Sequence, residues 1–146
     1  ARGARFIAWR SRSPATSPTV ERAAVSATNR RQAAEQRGHR AERRAALLLR
    51  FKGFRLIARR YRSPVGEIDI VARRARLLVA VEVKARSDLA TAAHAIDKRQ
   101  QSRIARATDH FLAANPSYAE HRIRFDAILV APGKLPRHIP DAWRIE

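Results

Sequence analysis

The chain has 146 residues and a mass of 16.5 kDa, room for one domain and little more. Apolar residues make up 45%, enough for a core, but 31 Lys and Arg stand against 13 Asp and Glu, for a net charge of +18. The absence of Cys excludes disulfide scaffolds, cysteine-ligated zinc, iron–sulfur clusters and thiol nucleophiles. No apolar run approaches the roughly 20 residues that span a bilayer, and Phe6-Ile7-Ala8 is short of a signal-peptide core of about 7–15 residues. A soluble, cytoplasmic protein with no membrane partner is expected.

The charge surplus predicts attraction to polyanions, of which nucleic acid is the commonest in a cell. Of the basic residues 27 are Arg, which a GC-rich genome can also produce without any ligand. Residues 1–37 carry eight Arg, two Glu and the run Ser11-Arg12-Ser13-Pro14-Ala15-Thr16-Ser17-Pro18-Thr19, with few large apolar side chains. Little burial is available to offset the entropy of ordering them. A flexible basic extension is expected, turning helical from about Asn29. An organellar transit peptide, a miscalled start and a basic tail are all consistent with it.

From Gly38 to Glu146 the pattern is that of one domain. Ala41, Ala45, Leu48 and Leu49 recur at helical spacing, and Gly53 stands where a C-cap glycine would. Phe54–Tyr61 reads as a strand, closed by the turn-like Arg62-Ser63-Pro64-Val65-Gly66. Glu67–Ala72 and Leu77–Ala85 are two more strands rich in Val, Ile and Leu, and the short link between them makes an antiparallel hairpin. A second helix is expected from near Asp97 to Ala114, with Ile104, Ala107 and Phe111 on one face and Asn115-Pro116 ending it. Arg122–Val130 is a fourth strand, followed by a Pro-rich tail. The order is α-β-β-β-α-β.

The hairpin concentrates the chemistry. Strand side chains alternate, so in Glu67-Ile68-Asp69-Ile70 the acids share a face, and in Val81-Glu82-Val83-Lys84 so do Glu82 and Lys84. A turn centred between Ala75 and Arg76 pairs residues whose numbers sum to 151, setting Asp69 opposite Glu82 and Glu67 opposite Lys84. Opposed carboxylates repel, and a divalent cation removes that cost. Mg²⁺ suits such a site, because it takes one or two carboxylates and keeps several waters for phosphate oxygens. A metal-activated water with Lys84 as a point charge beside it fits phosphodiester hydrolysis. The bland alternative is an ordinary Glu67–Lys84 ion pair with Asp69 and Glu82 solvated on an open sheet. Glu42 borders the apolar stripe of the first helix, where a carboxylate needs a partner or a metal.

These residues carry a resemblance. Gly38-x-x-Ala41-Glu42-x-x-Ala45, Gly53-Phe54, Arg62-x-Pro64-x-Gly66-Glu67-Ile68-Asp69-Ile70-Val71-Ala72, Val81-Glu82-Val83-Lys84-x-Arg86 and Arg124-Phe125-Asp126 are similar to the motifs of the bacterial YraN family. That family resembles archaeal Holliday-junction resolvases and the restriction-endonuclease-like nucleases, whose signature is Asp…(Asp/Glu)-x-Lys. The resemblance covers nearly everything after Gly38. It implies a restriction-endonuclease-like α/β domain, a mixed central sheet flanked by helices. It further implies Asp69 and Glu82 as ligands of Mg²⁺ or Mn²⁺, Lys84 as catalytic lysine, Glu42 as an additional helix acid, DNA as partner, branched DNA included, and a homodimer as in resolvases. The family's second helix reads Lys-Gln-basic-basic-aliphatic. Here Gln100-Gln101-Ser102-Arg103-Ile104 keeps Gln101 and replaces the Lys, with Lys98 or Arg99 nearby as substitutes.

Nucleic-acid contacts are expected from Arg62, Lys98, Arg99, Gln101 and Arg103. Arg99, Arg103 and Arg106 form one stripe on the second helix, and Arg55, Arg59, Arg60 and Arg62 concentrate charge on the first strand. A solvated helix face is the competing meaning of such a stripe. Phosphate contacts position a substrate without reading its sequence, so selectivity for shape is expected. His39, His94, His110, His121 and His138 lack metal-binding spacing and read as surface residues or DNA contacts. Five scattered glycines make no phosphate loop, and Ser63 and Ser87 have no neighbouring base. Asp126 reads as the structural partner of a nearby Arg. A catalytically silent nucleic-acid-binding module, or a basic structural protein bound to RNA or DNA, are the alternatives to a nuclease.

Overall fold

The computed structural model describes residues 18–87 and 96–145; residues 1–17 of the expected flexible extension lie outside them, and residues 18–37 are helical. By compactness the chain divides into Ala1–Ala34 and Glu35–Glu146. Helix α1 spans Pro18–Phe51 and so begins well before the expected Asn29. Its side chains from Arg22 to Ala34 are exposed almost throughout. Tertiary burial therefore does not hold this stretch helical; it is built of strong helix formers, Ala23, Ala24, Ala27, Gln32, Ala33 and Ala34. The helix ends as expected at Gly53, which has φ +85. Gly53 N–H donates to the Arg50 carbonyl at 3.0 Å and Phe54 N–H to that of Leu49 at 2.9 Å, the paired bonds of a Schellman cap.

Within Glu35–Glu146 one five-stranded sheet runs in the order β1-β2-β3-β4-β5. The strands are β1 (Arg55–Ser63), β2 (Gly66–Arg74), β3 (Leu77–Ala85), β4 (Arg122–Val130) and β5 (Arg137–Trp143). β3 and β4 are parallel, joined through α2 (Lys98–Ala114); the other three pairings are antiparallel. The mixed sheet flanked by helices is the expected fold, with one strand more. β5 lies in the Pro-rich tail that the sequence gives no reason to pair. It is an edge strand, and an edge tolerates Pro140 because that position owes no ladder bond on its outer side. Asp141, with φ +53, accompanies a break in its register against β4.

Two apolar layers sandwich the sheet. Ala41, Ala45, Ala46 and Leu49 of α1 pack with Ile70, Ala72, Val79, Val81, Ile128 and Val130. Ile104, Ala107 and Phe111 of α2 pack with Val71, Leu78, Ala80 and Ala127 on the other side. β3 is covered on both faces, which explains its unbroken apolar run from Leu77 to Val81. α2 is capped by Asp97, whose carboxylate accepts from Gln100 N–H at 2.8 Å. The start of β2 comes so close to α2 that a Cβ on Gly66 would sit 2.4 Å from the Arg103 carbonyl oxygen. That approach fixes where α2 crosses the hairpin. No helix among the described residues is long and apolar enough to cross a membrane.

Candidate active site

The β2–β3 ladder has the expected register, Ile70 opposite Val81 and Val71 opposite Ala80, and it stops there. Asp69 leaves the ladder: its Oδ2 accepts the Val83 N–H at 2.8 Å, standing in for the missing backbone partner. The two strands thus open around Asp69 and Glu82. Opposite Asp69, on β1, Arg60 has φ +50, a left-handed conformation that a non-glycine residue adopts only under constraint.

Glu82 is 6% exposed. Its Oε1 takes both the Lys84 ammonium at 2.9 Å and the Gln100 side-chain amide at 2.6 Å. The Glu67–Lys84 ion pair of the bland alternative is not formed. Glu67 instead lies 3.6 Å from the exposed Arg62, because the strands have parted before that row and Lys84 turns to the nearer buried carboxylate. Glu42 faces inward as its position on the helix requires. Its partner is Arg60, whose Nε donates to both carboxylate oxygens at 2.8 and 3.0 Å and whose Nη1 is 3.2 Å from His39 Nε2.

Burial pushes the Asp69 carboxyl up to about 7, with the charge of Glu82 acting in the same direction and Glu42 adding to it. The Val83 N–H and the Lys84 ammonium work against that shift without cancelling it. Glu42, Glu82 and Lys84 therefore all lie within electrostatic reach of Asp69. A cleft of about 650 Å³ opens over Asp69 and Glu82, bounded by Glu67 and by Asp97, Arg99, Gln100 and Arg103 around the start of α2.

Among the described residues no three His, Asp or Glu side chains are grouped to hold a metal ion. Asp69 Oδ1 and Glu82 Oε2 take no hydrogen bond among the described residues, and both side chains line the cleft. That donor set is too small for an ion held by protein ligands alone. It fits Mg²⁺ or Mn²⁺, which bind through one or two carboxylates and complete their shell with water and phosphate.

Of the expected nucleic-acid residues, Arg99 and Arg103 line the cleft. Lys98, Arg99 and Arg103 are exposed on α2, and Arg62 is exposed at the end of β1. Gln101 turns away, donating its amide to the Ile96 carbonyl at 3.2 Å. Gln100, which stands where the YraN pattern has Lys, instead reaches Glu82. That departure in the sequence was the only signal for it. Arg60 carried no signal beyond its charge. His138 is not a surface residue: its side chain is 3% exposed and lies 2.8 Å from the Asp126 carboxylate. Asp126, fully buried, also takes two bonds from Arg124 at 2.7 and 2.8 Å, the structural pairing expected of it. His94 and the link before α2 lie outside the described residues.

Fold and site define a mixed α/β domain with an acid–acid–lysine cluster at the point where its central hairpin opens. Residues 41–130 match the model of the uncharacterised protein family UPF0102. A UPF0102 protein of Rhodopseudomonas palustris (strain BisB5) is 50% identical over 134 residues, 92% of this chain and 95% of the relative. One from strain HaA2 is 54% identical over 113 residues, covering 77% and 88% of the two chains. The UPF0102 protein bll0669 of Bradyrhizobium diazoefficiens is 55% identical over 117 residues, covering 80% and 88%. The chain belongs to the UPF0102 family, the YraN-like family whose motifs it carries.

Proposed function

We propose that this protein is a cytoplasmic, Mg²⁺- or Mn²⁺-dependent endonuclease that binds DNA and hydrolyses its phosphodiesters. The observation that carries the reading is that Asp69 and Glu82 line one cleft where the hairpin opens, with Lys84 against Glu82. The restriction-endonuclease-like pattern Asp…Glu-x-Lys supports it. Asp69 and Glu82 hold the cation, which supplies charge neutralisation at the phosphoryl group and a more acidic water. Gln100 and Lys84 fix the Glu82 carboxylate through Oε1. Arg99 and Arg103 on the cleft rim balance the phosphates of a bound strand. Two symmetric strands of a branched junction suit a homodimer of such sites.

A second reading, a nucleic-acid-binding module without turnover, draws on a different observation. Glu42 is fully occupied by Arg60, and Glu82 Oε1 by Lys84 and Gln100, so most of the charge is already neutralised internally. The deciding experiment is cleavage of labelled duplex, single-stranded and four-way-junction DNA in Mg²⁺ or Mn²⁺, with Asp69→Ala in parallel. Metal-dependent cutting that the variant loses supports the nuclease. Binding without cutting, unchanged in the variant, leaves the module.

A further inference from the structure

A second cleft, also of about 650 Å³, lies between α1 and the ends of β3 and β4. Along β3, Lys84 belongs to the acid cluster, while the next residues, Ala85 and Arg86, line the second cleft. Along α1, Glu42 lies within electrostatic reach of Asp69, and its neighbour Ala41 lines the second cleft. The elements α1 and β3 thus contribute both to the acid cluster and to the second cleft.

The linings of the two clefts differ. The first sets Glu67, Asp69, Glu82 and Asp97 against Arg99 and Arg103. The second is rimmed by Arg37, Arg40, Arg44 and Arg86, with no acid among the described residues that line it. Its floor is apolar, formed by Ala41, Val130 and Ala131. Arg37, Arg40 and Arg44 fall at i, i+3 and i+7, one face of α1. Arg44 is committed to the fold: it donates to the Ala131 carbonyl at 3.0 Å and to that of Lys134, and so builds the wall. Arg86 donates to the Ala85 carbonyl at 2.7 Å. Arg37 and Arg40 are exposed and make no ion pair among the described residues.

We infer that this second cleft binds an unpaired stretch of the nucleic-acid substrate, its phosphates on Arg37 and Arg40 and a base on the apolar floor. The inference rests on the nucleic-acid reading above and narrows it to substrates with a single-stranded segment. An intact duplex would satisfy the arginines, but its bases are stacked inside the helix and offer nothing to an apolar floor. An unpaired strand presents phosphates and base faces together.

The test is fluorescence polarisation in EDTA, so that no cleavage intervenes, with a blunt DNA duplex and the same duplex carrying a single-stranded tail. The tail is expected to tighten binding several-fold. Arg37→Ala/Arg40→Ala should remove that gain while leaving the affinity for the blunt duplex within about twofold. The salt slope on the tailed DNA should fall by about 1.4, at roughly 0.7 per single-strand phosphate contact. Both positions are exposed on the helix, and an unchanged melting temperature verifies the variant's fold. A tail that adds nothing, or a variant that loses affinity equally for both DNAs, overturns the inference. Cleavage is scored separately in Mg²⁺. A tail effect without any cutting defeats the nuclease reading and leaves the cleft, whereas cutting without a tail effect does the reverse.

Discussion

The Asp69 carboxylate accepts the Val83 N–H at 2.8 Å, one residue beyond the last rung of the β2–β3 ladder. A side chain thus takes the place of a backbone carbonyl, and the hairpin opens there without leaving that donor unsatisfied. The charge of Glu82 still reaches Asp69 across that opening.

Asp69 carries a stability cost that its removal should reveal. Its carboxyl lies near 7, above the 3.8 of an unperturbed Asp, because burial and then the Glu82 charge disfavour ionisation. Between those two values the folded protein holds a proton that the unfolded chain has lost, so this group makes stability fall as pH rises through that window. Asp69→Asn escapes the loss. The variant should be more stable than the native protein at pH 8 by about 1–3 kcal/mol and gain little near pH 4, as urea melts at the two pH values would show. Mg²⁺ should raise the native melting temperature at pH 8 and leave the variant's unchanged.

Gly66 is set by contact with α2, with the Arg103 carbonyl 2.4 Å from where a Cβ would stand. The neighbour is backbone and cannot rotate aside. Gly66→Ala must therefore push α2 away from the hairpin, at a cost of about 1–3 kcal/mol. The shift also draws Gln100 from Glu82, so metal-dependent DNA cleavage should fall more than the loss of folded protein explains. Chemical denaturation and cleavage by the same preparation separate the two effects.

The legible part of the fold is the part governed by apolar pattern. β3 and β4 have the bounds their Val, Ile and Leu runs indicate, since parallel neighbours buried on both faces need such runs. The register of the hairpin followed from the length of its turn, and the inward face of Glu42 from helical spacing. β5 was hidden because an edge strand with Pro140 needs little hydrophobicity. The Arg60 clamp on Glu42 was hidden too: it depends on a left-handed residue inside a strand, and no residue type announces that at an Arg. Sequence spacing could place Glu67 across from Lys84 but not show that the ladder ends before reaching them.

Asp126 ties the edge of the sheet to its centre. Burial alone would raise its carboxyl, but hydrogen bonds from His138, Arg124 and the Asp141 N–H outweigh burial and hold it below the usual carboxylate range. A depressed folded value gives stability that is complete above the unfolded value near 4 and lost as pH falls through the folded one. Asp126→Asn should cost about 3–5 kcal/mol at neutral pH, because Arg124 and His138 are left facing a neutral group in a buried site. The variant should also lack the part of the acid transition that the native protein shows below pH 4. Thermal melts from pH 7 to pH 2.5 measure both.

Gln100 tests whether the fixing of Glu82 matters to chemistry or only to packing. Its amide reaches Glu82 Oε1 at 2.6 Å from the first turn of α2, beside Lys84 at 2.9 Å on the same oxygen. Gln100→Ala removes the neutral donor and leaves the ammonium, so Glu82 keeps its charge balance but loses one of the two bonds that orient it. The expected outcome is a loss of about 1–2 kcal/mol in stability or less, and a roughly tenfold fall in metal-dependent cleavage with DNA affinity unchanged. Gln100→Lys restores the residue type of the YraN pattern and places a second cation on that oxygen. If Glu82 is a metal ligand, added positive charge there should weaken Mg²⁺ binding and shift the metal dependence of cleavage to higher concentration. If Glu82 only anchors Lys84 and α2, the Lys variant should match the native protein in its metal dependence. Titrating Mg²⁺ against the cleavage rate of both variants distinguishes the two roles, since packing alone gives no reason for the metal midpoint to move.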